Sequence, residues 1–151
     1  MKIGIVGHGD DKFTPKSKQK ACDFIRSVLS DLYEGEHHPP VLVSGHSPVG
    51  GIDIFAEEIA KEMGLPMDLK IPKQKVWDAE YGYKQRNLDI ARDSDKVYVI
   101  LVDKYPPGYK GMRFDKCYHC HKTDHVKSGG CWTGLQAQKL GKQVQWVIIE
   151  N

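Results

Sequence analysis

No run of about 18 consecutive apolar residues exists in the 151-residue sequence, which removes any segment of the kind that spans a membrane as a helix. The opening Met1-Lys2-Ile3-Gly4-Ile5-Val6-Gly7 is likewise too short for the apolar region of a signal peptide. There is little net charge: 22 basic and 20 acidic residues are mixed along the chain and leave +2, so the strong footprint of a nucleic-acid binder is missing. Cysteine is scarce, with four residues of which Cys22 stands alone, and this is not the even, dispersed set of an extracellular disulfide framework. These absences together predict a soluble, cytoplasmic protein with no membrane partner. Two nucleotide signatures are missing as well. No G-x-G-x-x-G follows the first apolar run, and Gly51-Ile52, not Gly-Lys, follows Gly50, so NAD redox chemistry and Walker-type ATP hydrolysis lose their sequence support.

What is present is concentrated. Cys117, Cys120, His125 and Cys131 read C-x2-C-x4-H-x5-C, which packs three of the four cysteines and three of the seven histidines into 15 residues. Thiolate and imidazole are the donors that a tetrahedral Zn2+ prefers, and C-x2-C is the usual way for one turn to supply two of them. Four protein ligands leave no position for a reactive water, so the expectation is a closed, structural zinc site rather than a catalytic one. His119 and His121 are the spare ligands should one of the four point away. Cys22, on the apolar side of a helical pattern, reads as a small core residue, and His37 and His38 read as solvated.

The chain length and 40% hydrophobic content fit a single domain, 1–151, that buries about two thirds of its unfolded surface. Short apolar runs at Ile3 to Val6, Val41 to Val43, Met67 to Ile71, Lys96 to Val102 and Gln143 to Ile149 predict strands. Between them, apolar residues recur every three or four positions and predict helices over roughly 16–33, from Ile52 to Gly64, and over roughly 80–93 and 130–140. This alternation predicts an α/β fold, a Rossmann-like three-layer sandwich of about five parallel strands and four helices. Residues 103–128 lack periodicity and form a metal-bearing loop insertion.

Ligands of such folds bind beyond the carboxyl ends of the strands. Gly7-His8-Gly9-Asp10 follows the first strand, and Ser44-Gly45-His46-Ser47-Pro48-Val49-Gly50-Gly51 follows the second and opens a helix with Asp53 in its first turn. Glycines let backbone N–H groups approach an anion, and the helix start adds unpaired donors and a positive dipole end, which makes a phosphate site. His8 and His46 both follow strands and are placed to meet over a ligand. Gly129-Gly130 resembles a second such turn. Trp132 is a candidate cap or stacking platform for a base, with a core role as its alternative, and Trp77, Tyr81 and Tyr83 are packing residues or pocket walls.

Ser44-Gly45-His46-Ser47-Pro48-Val49-Gly50-Gly51-Ile52-Asp53 resembles the S-G-G-A-x-G-x-D loop of the SLOG superfamily, the group of the lonely-guy phosphoribohydrolases and DNA-processing protein A. Arg86-Asn87 and Gly129-Gly130-Cys131-Trp132-Thr133 resemble its helix arginine and its later G-G-x-G-T loop. The resemblance implies a Rossmannoid domain that binds a nucleotide-like small molecule. Gly45, Gly50 and Gly51 would line one side, Arg86 beside Asn87 would pair with an anionic group, and Gly129, Gly130 and Thr133 would hold a phosphate. It also implies a homodimer. The phosphoribohydrolase pattern P-G-G-x-G-T-x-x-E departs here at Ser128, Trp132 and Gln136. Its glutamate is the carboxylate that N-glycosidic cleavage requires, and an amide cannot replace it.

The main expectation is therefore a nucleotide-binding module with a zinc-ordered loop. An N-glycosidase or transferase acting on nucleosides or nucleotides, through Asp53, Glu57 or Asp89, is the alternative. A further alternative, less favoured, is single-stranded nucleic-acid binding through the zinc loop, whose lysines interleave with aromatic residues.

Overall fold

The computed structural model describes residues 1–35 and 38–151. Five strands, β1 (Lys2–Gly7), β2 (Val41–Ser44), β3 (Met67–Leu69), β4 (Lys96–Val102) and β5 (Gln143–Ile149), form one parallel sheet in the order β3-β2-β1-β4-β5. The helices are α1 (Pro15–Gly35), α2 (Ile52–Glu62), α3 (Tyr83–Asp93) and α4 (Gly129–Lys139). The expected three-layer α/β architecture is thus present.

Strand alternation builds two cores. Ile3, Ile5, Leu42, Tyr98 and Ile100 face α1 and α2, whereas Val6, Val43, Val97, Val99 and Leu101 face the side of α3 and α4. This is the period of two expected of strands buried on both faces. Cys22 is half-buried against the first core.

Local chemistry sets the helix ends. At α1, Thr14 and Ser17 cap each other: the Ser17 N–H donates to Thr14 Oγ1 at 3.1 Å and the Thr14 N–H to Ser17 Oγ at 2.8 Å, ahead of Pro15, whose missing N–H costs nothing there. The helix therefore begins one residue before its expected start. At the far end of α2, Gly64 takes φ +70° and the Leu65 N–H closes onto the Ala60 carbonyl at 2.8 Å, a left-handed helix stop.

Further boundaries differ from the sequence reading. Strand β3 ends at Leu69, because the Lys70 N–H makes the last ladder bond to Ser44 and Pro72 has no donor to continue it. Helix α3 starts at Tyr83 rather than near 80, since Gly82 is its extended N-cap and Trp77 to Tyr81 lies in turns. His38 is exposed. His37 lies outside the described residues. None of the described helices is long and apolar enough to cross a membrane.

The strand order reverses between β1 and β4, since the chain builds outward through β2 and β3 and then returns to the far side of β1. That reversal leaves a crevice at the carboxyl ends.

Candidate ligand cavity and metal cluster

A cavity of about 730 Å³ occupies this crevice, within the size range of small-molecule sites. Gly7 and Gly9 after β1, and Ser47, Val49, Gly50 and Asp53 around the start of α2, form one side. Arg86, Asn87 and Tyr83 of α3 form another, with Trp77 before it. Gly129, Gly130, Trp132 and Thr133 of α4 close it together with Tyr118, His119 and Lys127.

Close backbone approach shapes the floor. A Cβ on Gly130 would stand 2.7 Å from the Gly7 nitrogen, so only glycine lets the start of α4 meet the end of β1. Ser128 caps α4, its hydroxyl accepting from the Gly130 N–H at 3.0 Å, and Thr133 donates to the Gly129 carbonyl at 3.2 Å. Gly51 sits at φ +83° as the N-cap of α2, with its Cα turned towards the His8 carbonyl.

The charged centre is a half-buried arginine held by neutral partners. Arg86 Nη1 donates to the Gly45 carbonyl at 2.6 Å and Nε to Asn87 Oδ1 at 2.7 Å, and its guanidinium lies 5.2 Å from the centre of the Tyr83 ring. Asp53 Oδ2 stands 3.9 Å from Nη1 and accepts the Ser47 N–H at 3.1 Å. Burial raises the Asp53 carboxyl to about 6, against the pull of Arg86 and with a further push from Glu57. Glu57 itself accepts from Ser44 Oγ at 2.7 Å and pairs with His46 Nδ1 at 2.8 Å.

These contacts sort the expected site residues. Gly7, Gly50, Asp53, Arg86, Asn87, Gly129, Gly130 and Thr133 line the cavity, whereas Ser44, Gly45 and Gly51 lie behind it as the scaffold of the β2–α2 loop. His8 stands apart from this lining. Its Nδ1 accepts the Val102 N–H at 3.1 Å, so Nε2 carries the proton donated to the Val126 carbonyl at 3.0 Å, and the buried ring pins segment 103–128 to the sheet. Burial lowers its value to about 4, which keeps it neutral. His8 and His46 do not meet over the cavity: neither lines it, and His46 is held by Glu57. Tyr81 turns to solvent under Lys73, while Trp77 and Tyr83 lie in the cavity wall. Gln136 is absent from this cavity's lining, so a glutamate at that position would not enter it. Lys127, one of the loop lysines interleaved with aromatic residues, lines the cavity with its Nζ 5.0 Å from the Tyr118 ring, a place the sequence did not single out.

The metal-ligating atoms of Cys117, Cys120, His125 and Cys131 all lie within 4.8 Å of one another, a group that could hold a metal ion. Cys117 and Cys131 are fully buried in the α3/α4 core. His125 Nε2 faces Cys120 Sγ at 3.5 Å, and its Nδ1 bonds Asp124 Oδ1 at 2.7 Å, the second-shell carboxylate that commonly orients a ligating imidazole. Burial pushes the Cys117 thiol up, but backbone N–H groups of Cys120, His119 and Ser128 outweigh it and hold the thiol at about 7. Burial and the neighbouring Cys117 push Cys131 far up, so an ion must displace its proton. His119 and His121 stand outside the cluster, the first in the cavity wall and the second exposed.

No protein-family model matches the sequence, and no curated protein matches it either. Two solved structures share its fold. One is the molybdenum cofactor carrier protein MCP from Chlamydomonas reinhardtii, with a TM-score of 0.59 and 16% identity over 96% of this chain and 74% of that one. The other is DNA processing protein A from Helicobacter pylori, described for its single-stranded DNA binding mode, with a TM-score of 0.55 and 19% identity over 97% of this chain and 64% of that one. At these identities the likeness is one of fold, the three-layer α/β arrangement described above.

Proposed function

We propose that the cavity at the β1/β4 reversal binds a nucleotide or a phosphorylated nucleoside-like ligand, and that Zn2+ in the Cys3His group orders its wall. The observation that carries this reading is the meeting of three features in one cavity. A helix start approaches a strand end through glycines, an arginine stands by, and aromatic rings surround the remaining space. A phosphate entering at α4 would take the place of the Ser128 hydroxyl on the Gly130 N–H and would draw Arg86 from its long contact with Asp53. The two neighbours are described by a cofactor and by single-stranded DNA, and a nucleotide-like ligand is in keeping with both.

Zinc suits the donor set. A tetrahedral ion at about 2.3 Å from sulfur and 2.0 Å from nitrogen places those atoms about 3.5 Å apart, the separation found between Cys120 and His125. Tyr118 and His119 lie between two ligands, Lys127 to Gly130 lie between the next two, and Trp132 follows the last. Losing the ion would therefore loosen much of the cavity wall.

Calorimetric titration of the zinc-loaded protein with adenosine, guanosine, cytidine and uridine monophosphates tests the proposal. At least one should bind, and Arg86→Ala should weaken it about tenfold or more, the cost of a lost charge-assisted pair. The proposal fails if none binds, or if the variant binds as well as the parent.

Asp53 favours a second, enzymatic reading. A carboxyl at about 6 inside the cavity can, in its protonated fraction, give its proton to the departing base as the N-glycosidic bond breaks, and take one back from the water that adds to the anomeric carbon. Release of free base from a bound nucleotide, abolished in Asp53→Asn, is the expected sign; intact nucleotide after prolonged incubation removes this reading.

A further inference from the structure

The surface beyond the cavity wall holds a second cavity of about 640 Å³, which shares Tyr118, His119 and Trp132 with the first. Its other side is a stripe of α4. Trp132, Leu135, Gln136 and Lys139 recur at three- and four-residue steps and so stand on one face of that helix, opposite the metal-bearing loop.

The chemistry changes along the stripe. At its start Trp132 is half-buried and held edge-on by Trp77, with ring centres 4.9 Å apart. Tyr118 across the groove leaves about half its surface to solvent and is steadied by His119 at 4.4 Å and by Lys127 at 5.0 Å. Leu135 continues the apolar floor, Gln136 offers an amide with both donor and acceptor, and Lys139 ends the groove with a cation. Aromatic faces, then an amide, then a positive charge form a graded surface that accepts a planar heterocycle, reads its polar edge and meets a phosphate.

We infer that the ligand is a dinucleotide-class small molecule, with one nucleoside unit in the crevice and the second laid along α4 beyond the Tyr118–Trp132 wall. The inference rests on the nucleotide reading of the first cavity and narrows its ligand class. It also gives position 136 a role: the amide that stands where the resemblance would place a catalytic carboxylate reads the edge of the second base. The shared wall is built from residues beside the metal ligands, so both halves of the site depend on the same loop.

Calorimetry on the zinc-loaded protein with adenosine 5′-monophosphate, the dinucleotide pApA and a ten-residue oligoadenylate tests this. The dinucleotide should bind about tenfold more tightly than the mononucleotide, the gain of a base edge read by Gln136 and a phosphate met by Lys139. The double variant Gln136→Ala/Lys139→Ala should erase that gain and leave the mononucleotide constant unchanged. Equal affinity for the two probes overturns the inference while leaving the mononucleotide reading intact, and so does a dinucleotide gain that survives in the variant. Tighter binding of the oligoadenylate than of pApA, with a steep salt dependence, overturns it in favour of a strand-binding surface. If no probe binds, the nucleotide reading falls and takes the inference with it.

Discussion

Asp53→Asn offers a prediction whose sign and size follow from the cavity. A carboxyl raised to about 6 in the folded chain, against an ordinary 3.8, binds more protons folded than unfolded across that interval. Stability from this group is therefore fully present below about 4 and is lost as pH rises through 6. At pH 7 the ionised carboxylate costs the folded state about 3 kcal/mol. Its side chain is only 11% exposed, so solvent does little to screen that cost. Asparagine copies the protonated acid in shape, and its oxygen can still accept the Ser47 N–H. The variant should then match the parent near pH 4 and exceed it by about 3 kcal/mol at pH 7. Urea unfolding of both proteins from pH 4 to 7, metal content held equal, gives the difference curve. Protonation of metal ligands and of buried His8 affects both proteins and cancels in the difference. A flat curve, or a variant less stable than the parent at pH 7, would mean that Arg86 stabilises the carboxylate more than burial penalises it.

Further predictions concern the cluster and the loops. Cys131→Ser should lose the ion that the parent holds at one equivalent, with a fall in Tm on the order of 10 °C at about 2–4 °C per kcal/mol for a chain of this size; Cys22→Ser, outside the cluster, should keep its metal. Retention of one equivalent by Cys131→Ser, measured by elemental analysis, would remove it as a ligand. Gly51→Ala should cost about 3 kcal/mol or more in urea unfolding, because its φ of +83° is joined to a Cβ collision with the His8 carbonyl. Gly50→Ala, at φ +72° with its nearest neighbour 3.4 Å away, should cost only about 1–2 kcal/mol, and equal losses at the two glycines would refute the packing argument. His8→Ala should lower stability by about 2–3 kcal/mol through the orphaned Val102 N–H and Val126 carbonyl, a loss that urea unfolding at pH 7 reads directly.

The strands were legible because each is a short apolar run, and the helices because their buried residues recur at helical steps. The metal donors were legible for a related reason: four ligands within 15 residues need no knowledge of tertiary structure. The bounds at 70–71 and 80–82 misled, since Pro72 cannot continue the ladder past Leu69 and Gly82 caps α3 after a run of turns. His8 misled more instructively. A histidine after a strand invites a ligand role, but the partners that occupy its ring are backbone groups 94 and 118 residues away. Ser44, Gly45 and Gly51 match a binding motif in sequence yet act one layer back, two through side chain or carbonyl contacts and one through a conformation that only glycine adopts readily. The second cavity left no local trace, because it exists only where α4 faces a loop that precedes it in the chain.

Cys117 and Cys131 complete one of the two hydrophobic cores as well as the donor set. Without an ion, a newly made chain would have two thiols, one of them reluctant to ionise, in the space where α4 must settle against the sheet. Proteases and chaperones act on such half-packed states. If the group takes up a metal, supply of that metal would bear on how long the protein survives after synthesis, even with no contact between ion and ligand.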